Sequence, residues 1–330
     1  VTTQQQDLTL GADFHDACQR ILDAIDGVLD GKQSVARTAL TVLLAQGHLL
    51  LEDVPGVGKT LLAKALAKTI DGDIKRIQFT PDLLPSDVTG VSIYNQDTHS
   101  FDFRTGPVFA NIVIGDEINR ASAKTQSALL ECMEERQVSI DSVTHPLPDP
   151  FMVIATQNPI ELEGTFPLPE AQRDRFMARI SVGYPDRQAE MDMLESHQST
   201  NPLDRVSPAL NTGELRALID AVKTVHVSEP IKEYIVSIGR ATREHPDVNL
   251  GASPRSLLQL LRAAKATAAV SGRNYVVPDD VKSIAHDVLV HRIVLDRKTK
   301  FSGRRVDSLL DSILASIPVK ADGRDVAAGS

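Results

Sequence analysis

The sequence predicts an α/β fold: a parallel sheet with flanking helices, followed by a smaller all-α domain. Three observations carry this. The apolar run Leu49-Leu50-Leu51 passes through a Gly-rich turn into a helical pattern opened by Lys59-Thr60-Leu61-Leu62. A second apolar run, Ile112-Val113-Ile114, ends in the adjacent acids Asp116 and Glu117. Such unbroken apolar runs suit strands buried on both faces of a parallel sheet. From Asp186 onward, long helical patterns replace the strand–helix alternation.

The chain has 330 residues, 42% hydrophobic and 24% charged, which suits one large globular domain or two moderate ones. A net charge of −9, no Trp and only 4% aromatic residues argue against a nucleic-acid surface. No run reaches the ~20 apolar residues that span a bilayer. The N-terminal stretch Val1–Leu10 is polar and lacks a basic-then-apolar leader pattern. Cys18 and Cys132 stand apart without metal-type spacing and read as buried thiols of a reducing compartment. The expected location is therefore cytoplasmic.

In chain order, Asp13–Leu29 places Phe14, Ala17, Cys18, Ile21, Leu22, Ile25 and Val28 on one helical face. Asp13 suits its N-cap and Gly31 follows its end. A second helix is expected over Ser34–Gln46. The link between them, Val28–Lys32 with Gly31 and Lys32, reads first as a plain connection.

Asp53-Val54-Pro55-Gly56-Val57-Gly58-Lys59-Thr60 matches a phosphate-binding loop at every signature position but the first, where Asp53 replaces Gly. Backbone N–H groups at a helix N-terminus have no intrahelical partner and attract anions. Gly56 and Gly58 let the backbone close around phosphate oxygens, Lys59 adds charge, and the Thr60 hydroxyl suits Mg²⁺. A carboxylate facing phosphate is repelled, so Asp53 is expected to point away. The other reading is an ordinary Gly-rich turn.

A helix over Thr60–Ile70 precedes the alternating strand Ile74–Phe79. Thr80–Asp87 is Pro-rich and reads as irregular. Val91–Tyr94 and Ser100–Phe103 form a hairpin with its tip at Asn95–His99. In the strand Asn111–Glu117, Asp116 suits the Mg²⁺ shell and Glu117 a general base. A strand running into a solvated acidic loop reads the same. A helix over Thr125–Glu135 leads to a short hairpin, Val138–Ile140 with Val143–His145. The strand Phe151–Thr156 ends in Gln157-Asn158-Pro159, where Asn158 suits the terminal phosphate or the attacking water, or simply a turn. Glu170–Phe176 carries Arg173 and Arg175, one of which suits a neighbouring copy's phosphate; a surface salt-bridge helix is the default otherwise. Val182–Pro185 closes the unit.

Helices are then expected over Arg187–Gln198, Gly213–Val225, Glu229–Glu244, Pro254–Ser271, Pro278–Leu295 and Arg305–Ile317. Ser253 caps one of them and Pro254 suits its first position. Arg255 then lies in a first turn, where the helix dipole disfavours a cation. It either binds an anion or pairs with an acid. The expected division is 1–185 for the nucleotide-binding core, with hairpin insertions near 80–105 and 136–147. An all-α lid follows over 186–320, and then a flexible tail over 321–330.

Taken in order, these features resemble an AAA+ ATPase, a P-loop NTPase with an all-α lid. The runs Gly115–Ala121, Leu129–Glu135 and Asn158–Phe176 narrow the resemblance to the MoxR family. It spans about residues 10 to 318. The resemblance implies ATP as substrate, Mg²⁺ as cofactor and a homo-oligomeric ring, usually a hexamer. It assigns phosphate and nucleotide contacts to the loop from Asp53 to Leu61. It makes Asn158 sensor one, Arg175 the trans-acting arginine finger with Arg173 a second candidate, and Arg255 sensor two. Val28–Lys32 becomes a segment lining the adenine pocket. Asp53 also occurs in such loops, whereas Gly115 stands where Ala is frequent and Arg173 where an apolar residue is common. Family members are viewed as chaperones that mature protein clients, often alongside a von Willebrand A domain protein.

The expected function is thus Mg²⁺-dependent ATP hydrolysis coupled to remodelling of protein clients. A nucleotide-gated scaffold with negligible turnover is one alternative and a nucleic-acid motor a weaker one. No Asn-Lys-x-Asp segment is present to read guanine.

Overall fold

The computed structural model describes residues 11–29, 31–159, 165–196, 202–301 and 303–318. The expected tail 321–330, the stretch Val1–Leu10 and the run 160–164 lie outside them.

Apolar spacing builds α1 (Ala12–Asp26), which buries Phe14, Ala17, Cys18, Ile21 and Ile25. Gly11, not Asp13, holds the N-cap position, and Gly27 rather than Gly31 ends the helix. Asp13 instead sits in the first turn, where an acid complements the dipole. After α2 (Gln33–Leu44) come β1 (Leu49–Glu52), α3 (Lys59–Lys68), the two-residue β2 (Ile70–Asp71) and β3 (Ile74–Gln78). The segment expected to be irregular holds a short α4 (Pro85–Thr89), begun by proline at its first position. The first hairpin is β4 (Gly90–Asn95) with β5 (Ser100–Thr105), paired antiparallel. Then follow β6 (Ile112–Asp116), α5 (Ala123–Glu135), the second hairpin β7 (Gln137–Ile140) with β8 (Val143–Pro146), and β9 (Met152–Gln157). A four-residue α6 (Glu170–Arg173) leads to β10 (Ala178–Ile180), a strand the sequence reading lacked.

The sheet is parallel, in the order β10-β1-β9-β6-β3. Alternation splits its side chains between two cores. Leu49, Leu51, Ile112, Ile114, Met152 and Ile154 face α1, α2 and α3; Leu50, Val113, Val153 and Ala155 face α5. Gly115 has a packing reason: a Cβ there would lie 3.0 Å from Phe79 Cε2, so glycine admits the ring against β6. Each fully buried leucine contributes roughly 1.5–3 kcal/mol.

The helical region comprises α7 (Arg187–Ser196), β11 (Leu210–Asn211), α8 (Thr212–Lys223), α9 (Glu229–Glu244), β12 (Val248–Leu250), α10 (Pro254–Val270), α11 (Pro278–Leu289), β13 (Val294–Leu295), α12 (Arg297–Phe301) and α13 (Val306–Ser316). The helix expected to run to Leu295 stops at Leu289, continues as a 3₁₀ turn and then pairs β13 with β12. Ser253 accepts from the Ser256 amide and caps α10. Leu260, Ala263 and Ala264 of α10 share one continuous apolar cluster with Leu40, Leu43 and Leu44 of α2. Among the described residues no helix is long and apolar enough to cross a membrane.

Candidate active site

β1 hands the chain to α3 through the turn 53–58, at the C-terminal edge of the sheet. Ligands of open α/β sheets bind in the crevice outside this edge. Gly56 and Gly58 adopt φ of 84° and 94°, a left-handed backbone that costs other residues energy. Pro55 and Gly56 are exposed, Val57 is buried, and Leu61 packs on the core. Lys59 folds back over its own loop, donating to the carbonyl of Val54 at 2.8 Å and to that of Asp53. Burial lowers its pKa, while Asp53, Glu117 and Asp116 pull the other way.

The Asp53 carboxylate is turned onto the exit of β10. Oδ2 accepts from the Ser181 hydroxyl and the Gly183 amide, both at 2.6 Å, and Oδ1 accepts from the Val54 amide at 2.8 Å. Burial alone would raise its pKa, but these donors outweigh that and hold it below the ordinary carboxylate value.

Thr60 Oγ1 donates to Asp116 Oδ1 at 3.0 Å, across from α3 to the end of β6. Thr156 donates to the same oxygen at 3.3 Å, and Arg76 Nε lies 2.6 Å from Asp116 Oδ2. A hydroxyl beside one carboxylate, next to a phosphate seat, is the hard-oxygen set Mg²⁺ takes, so these residues fit that ion. Glu117 has φ of 57° and a backbone amide that donates to Thr156 at 3.0 Å. Its carboxylate accepts from Gln78 at 2.9 Å and pairs with Arg120 at 3.1 Å. Asn158 is buried just past the end of β9, and its carbonyl accepts from Asn119 at 3.3 Å.

The link before α2 reaches the same crevice. A Cβ on Gly58 would lie 3.1 Å from Leu29 Cδ2. Lys32 donates to the Tyr184 carbonyl at 2.8 Å, and Gly31 (φ 71°) lies beside Asp186. Residues 53–61, Gly31, Lys32, Asp116, Glu117 and Asn158 are thus gathered together.

Arg175 and Arg255 are not. The Met177 amide donates to the His48 carbonyl at 2.8 Å, which puts Arg175 at the entry of β1. The phosphate loop leaves the other end, about 13 Å further at ~3.3 Å per residue. Arg175 Nε pairs with Glu134 Oε2 at 3.0 Å, and Arg255 pairs with Glu134 Oε1. Both therefore face away from their own chain's crevice, into a cleft of about 220 Å³ lined also by Arg136 and Arg262. Arg173 pairs with Glu170 at 3.6 Å.

Sequence reasoning missed the supports of this second cluster. Arg292, almost fully buried, pairs with Asp174 at 2.8 Å and donates to the carbonyls of Asp174, Phe176 and Met177. It ties the end of α11 to the segment carrying Arg175, and burial lowers its pKa to about 10. Glu134 was legible only as the complement of Arg255: an acid in a helix's last turn is as disfavoured as a cation in a first turn.

Two family models match the chain: the ATPase family associated with various cellular activities over residues 48–178, and an AAA lid domain over residues 240–313. Chaperone MoxR1 of Mycobacterium tuberculosis is 44% identical over 87% of this chain and 78% of its own length. Protein MoxR of Paracoccus denitrificans is 32% identical over 94% and 98%. The uncharacterised protein YeaC of Bacillus subtilis is 49% identical over 93% and 96%. A crystal structure from Cytophaga hutchinsonii, provisionally described as an ATPase, superposes with a TM-score of 0.87 at 40% identity, covering 94% of this chain and 96% of that one. With the sheet order, the phosphate loop and the helical lid in agreement, the chain belongs to the MoxR family of AAA+ ATPases.

Proposed function

We propose that the chain hydrolyses ATP to ADP and phosphate with Mg²⁺, as a ring of copies, a hexamer, that remodels or matures protein clients in the cytoplasm. The observation that carries this reading is the 3.0 Å contact of Thr60 with Asp116, set against a loop whose lysine already spans its rim. In the reading, the loop amides and Lys59 hold the phosphates, and Thr60 with Asp116 holds Mg²⁺, which would offset charge on the phosphate oxygens. Glu117, freed from Gln78 and Arg120, takes the proton of the attacking water, and Asn158 orients that water. Gly31 and Lys32 line the base pocket.

Arg175 and Arg255 complete the site of the adjoining copy, because neither faces its own. The exposed hairpin side chains Tyr94 and Phe101 offer an apolar face to a client or to a von Willebrand A domain partner. The buried free thiols Cys18 and Cys132 support a reducing compartment.

The test is Glu117→Gln. It should keep ATP affinity within about threefold while turnover falls about 10²–10⁴-fold. Turnover that survives the change would remove Glu117 from the mechanism.

A further inference from the structure

Two guanidiniums share one carboxylate at the far end of the sheet. Arg175 lies 3.0 Å from Glu134 Oε2, and Arg255 hydrogen-bonds Oε1. Among the described residues, Glu134 is the single acid lining this cleft, against four arginines. Two of those are committed: Arg136 donates to the Gln46 carbonyl, and Arg262 to those of Ala45 and Gln46. Asp174, 3.9 Å from Arg255, is held by Arg292.

Glu134 stands against the dipole of α5, and Arg255 against that of α10. Their pairing offsets both. Another anion would do the same for Arg175 and Arg255, and a phosphate brings more charge and more acceptor oxygens than a carboxylate. Glu134, Arg175 and Arg255 are each about a third or more exposed as side chains, so an arriving anion has access.

We propose that Glu134 is a latch on this arginine pair. Its carboxylate occupies the place on the two guanidiniums that a phosphate from the adjoining copy's nucleotide takes on assembly, so one anion replaces the other. Glu134 acts through the arginines and is a positioning residue, not a catalytic one. The identity of the arriving anion rests on the ATPase reading; the competition between Glu134 and phosphate does not.

The first experiment separates the two. In Lys59→Ala chain, whose own loop is disabled, inorganic phosphate is titrated and read at the side-chain Nε–H NMR signals of Arg175 and Arg255. Adding Glu134→Gln should tighten phosphate binding about tenfold or more, since a like charge has been removed. Glu134→Asp should restore weak binding. Equal affinity with and without the Glu134 charge, or no binding in either chain, overturns the latch.

The second experiment follows hydrolysis against chain concentration. Glu134→Gln should lower the half-maximal concentration about threefold or more, with kcat at saturation within about twofold. A fall in kcat at an unchanged half-maximal concentration would mean that Glu134 merely orients the arginines, and overturns the latch. A wild-type chain that hydrolyses no ATP counts against the ATPase reading and leaves the phosphate titration to decide the latch.

Discussion

Asp53 accepts the Gly183 amide at 2.6 Å, a bond that ties the phosphate loop to the strand exit on the other side of β1. The residue that departs from the loop signature is thus its anchor to the neighbouring strand. Its charge is spent on two backbone amides and one hydroxyl, not on the phosphate seat.

Asp53→Ala should therefore loosen the loop, and it also removes a negative charge that acts on Lys59. Losing these bonds and leaving the Gly183 amide without this acceptor should cost about 1–3 kcal/mol. Nucleotide affinity, measured by calorimetry, should fall by about tenfold through the same loss of order. Unchanged stability and affinity would mean that the anchor does not hold in solution.

Lys59→Ala and Arg175→Ala should each lower turnover by about 10³-fold when assayed alone, the scale of a lost phosphate or finger contact. Mixed in equal amounts, they should recover up to about a quarter of the wild-type rate, because that share of head-to-tail interfaces carries both intact residues. No recovery in a mixed assembly would place both residues in one chain's site.

His48 is buried between the Val153 amide at 2.9 Å and the Met133 carbonyl at 3.1 Å. Burial drives its pKa down to about 3. The folded value lies below the unfolded one, so this stabilisation is complete above about pH 6.5 and is lost as pH falls from there. His291, buried against the Phe176 carbonyl, is shifted the same way, by burial and then by Arg292. Urea unfolding should show a loss approaching about 1.4 kcal/mol per pH unit for each histidine below that point. His48→Gln should flatten the slope; an unchanged slope would show that His48 does not titrate on unfolding.

Asp287 has the opposite sign. Burial raises its pKa to about 6, although Thr38 donates to it at 3.0 Å. An ionised carboxylate is thus held at neutral pH where the protonated form is preferred. Asp287→Asn should stabilise the fold by about 1–2 kcal/mol at about pH 7.5, with the gain fading as pH falls through 6 and the wild-type group protonates. A destabilised variant at neutral pH would show that the charge is used.

How much of this could be read from the sequence follows from how local each feature is. The phosphate loop is written in consecutive letters, because Gly56, Gly58, Lys59 and Thr60 all act on one turn of backbone. The strands β1, β6 and β9 were legible because burial on both faces leaves unbroken apolar runs. β10 was not, because Ala178-Arg179-Ile180 is a strand only through its pairing with Leu49–Leu51. Likewise Glu134 and Arg255 are 121 residues apart, and only the folded chain brings the end of α5 and the start of α10 close enough for their charges to meet. The cap of α1 shows a subtler limit: an aspartate near a helix start suits both the cap and the first turn, and the backbone at Gly11 decides between them.

The apolar cluster running from Leu44 across to Ala264 has a mechanical consequence. Lid and sheet meet along a continuous apolar seam, which polar ties such as Arg292 to Asp174 and Thr38 to Asp287 flank. A swing of the lid must slide helix over helix by small shears, and whatever drives that sliding also drags the Arg292-bound segment at the rim. Heating should accordingly melt both parts in a single transition, and nicking the chain between them should not release an independently folded piece.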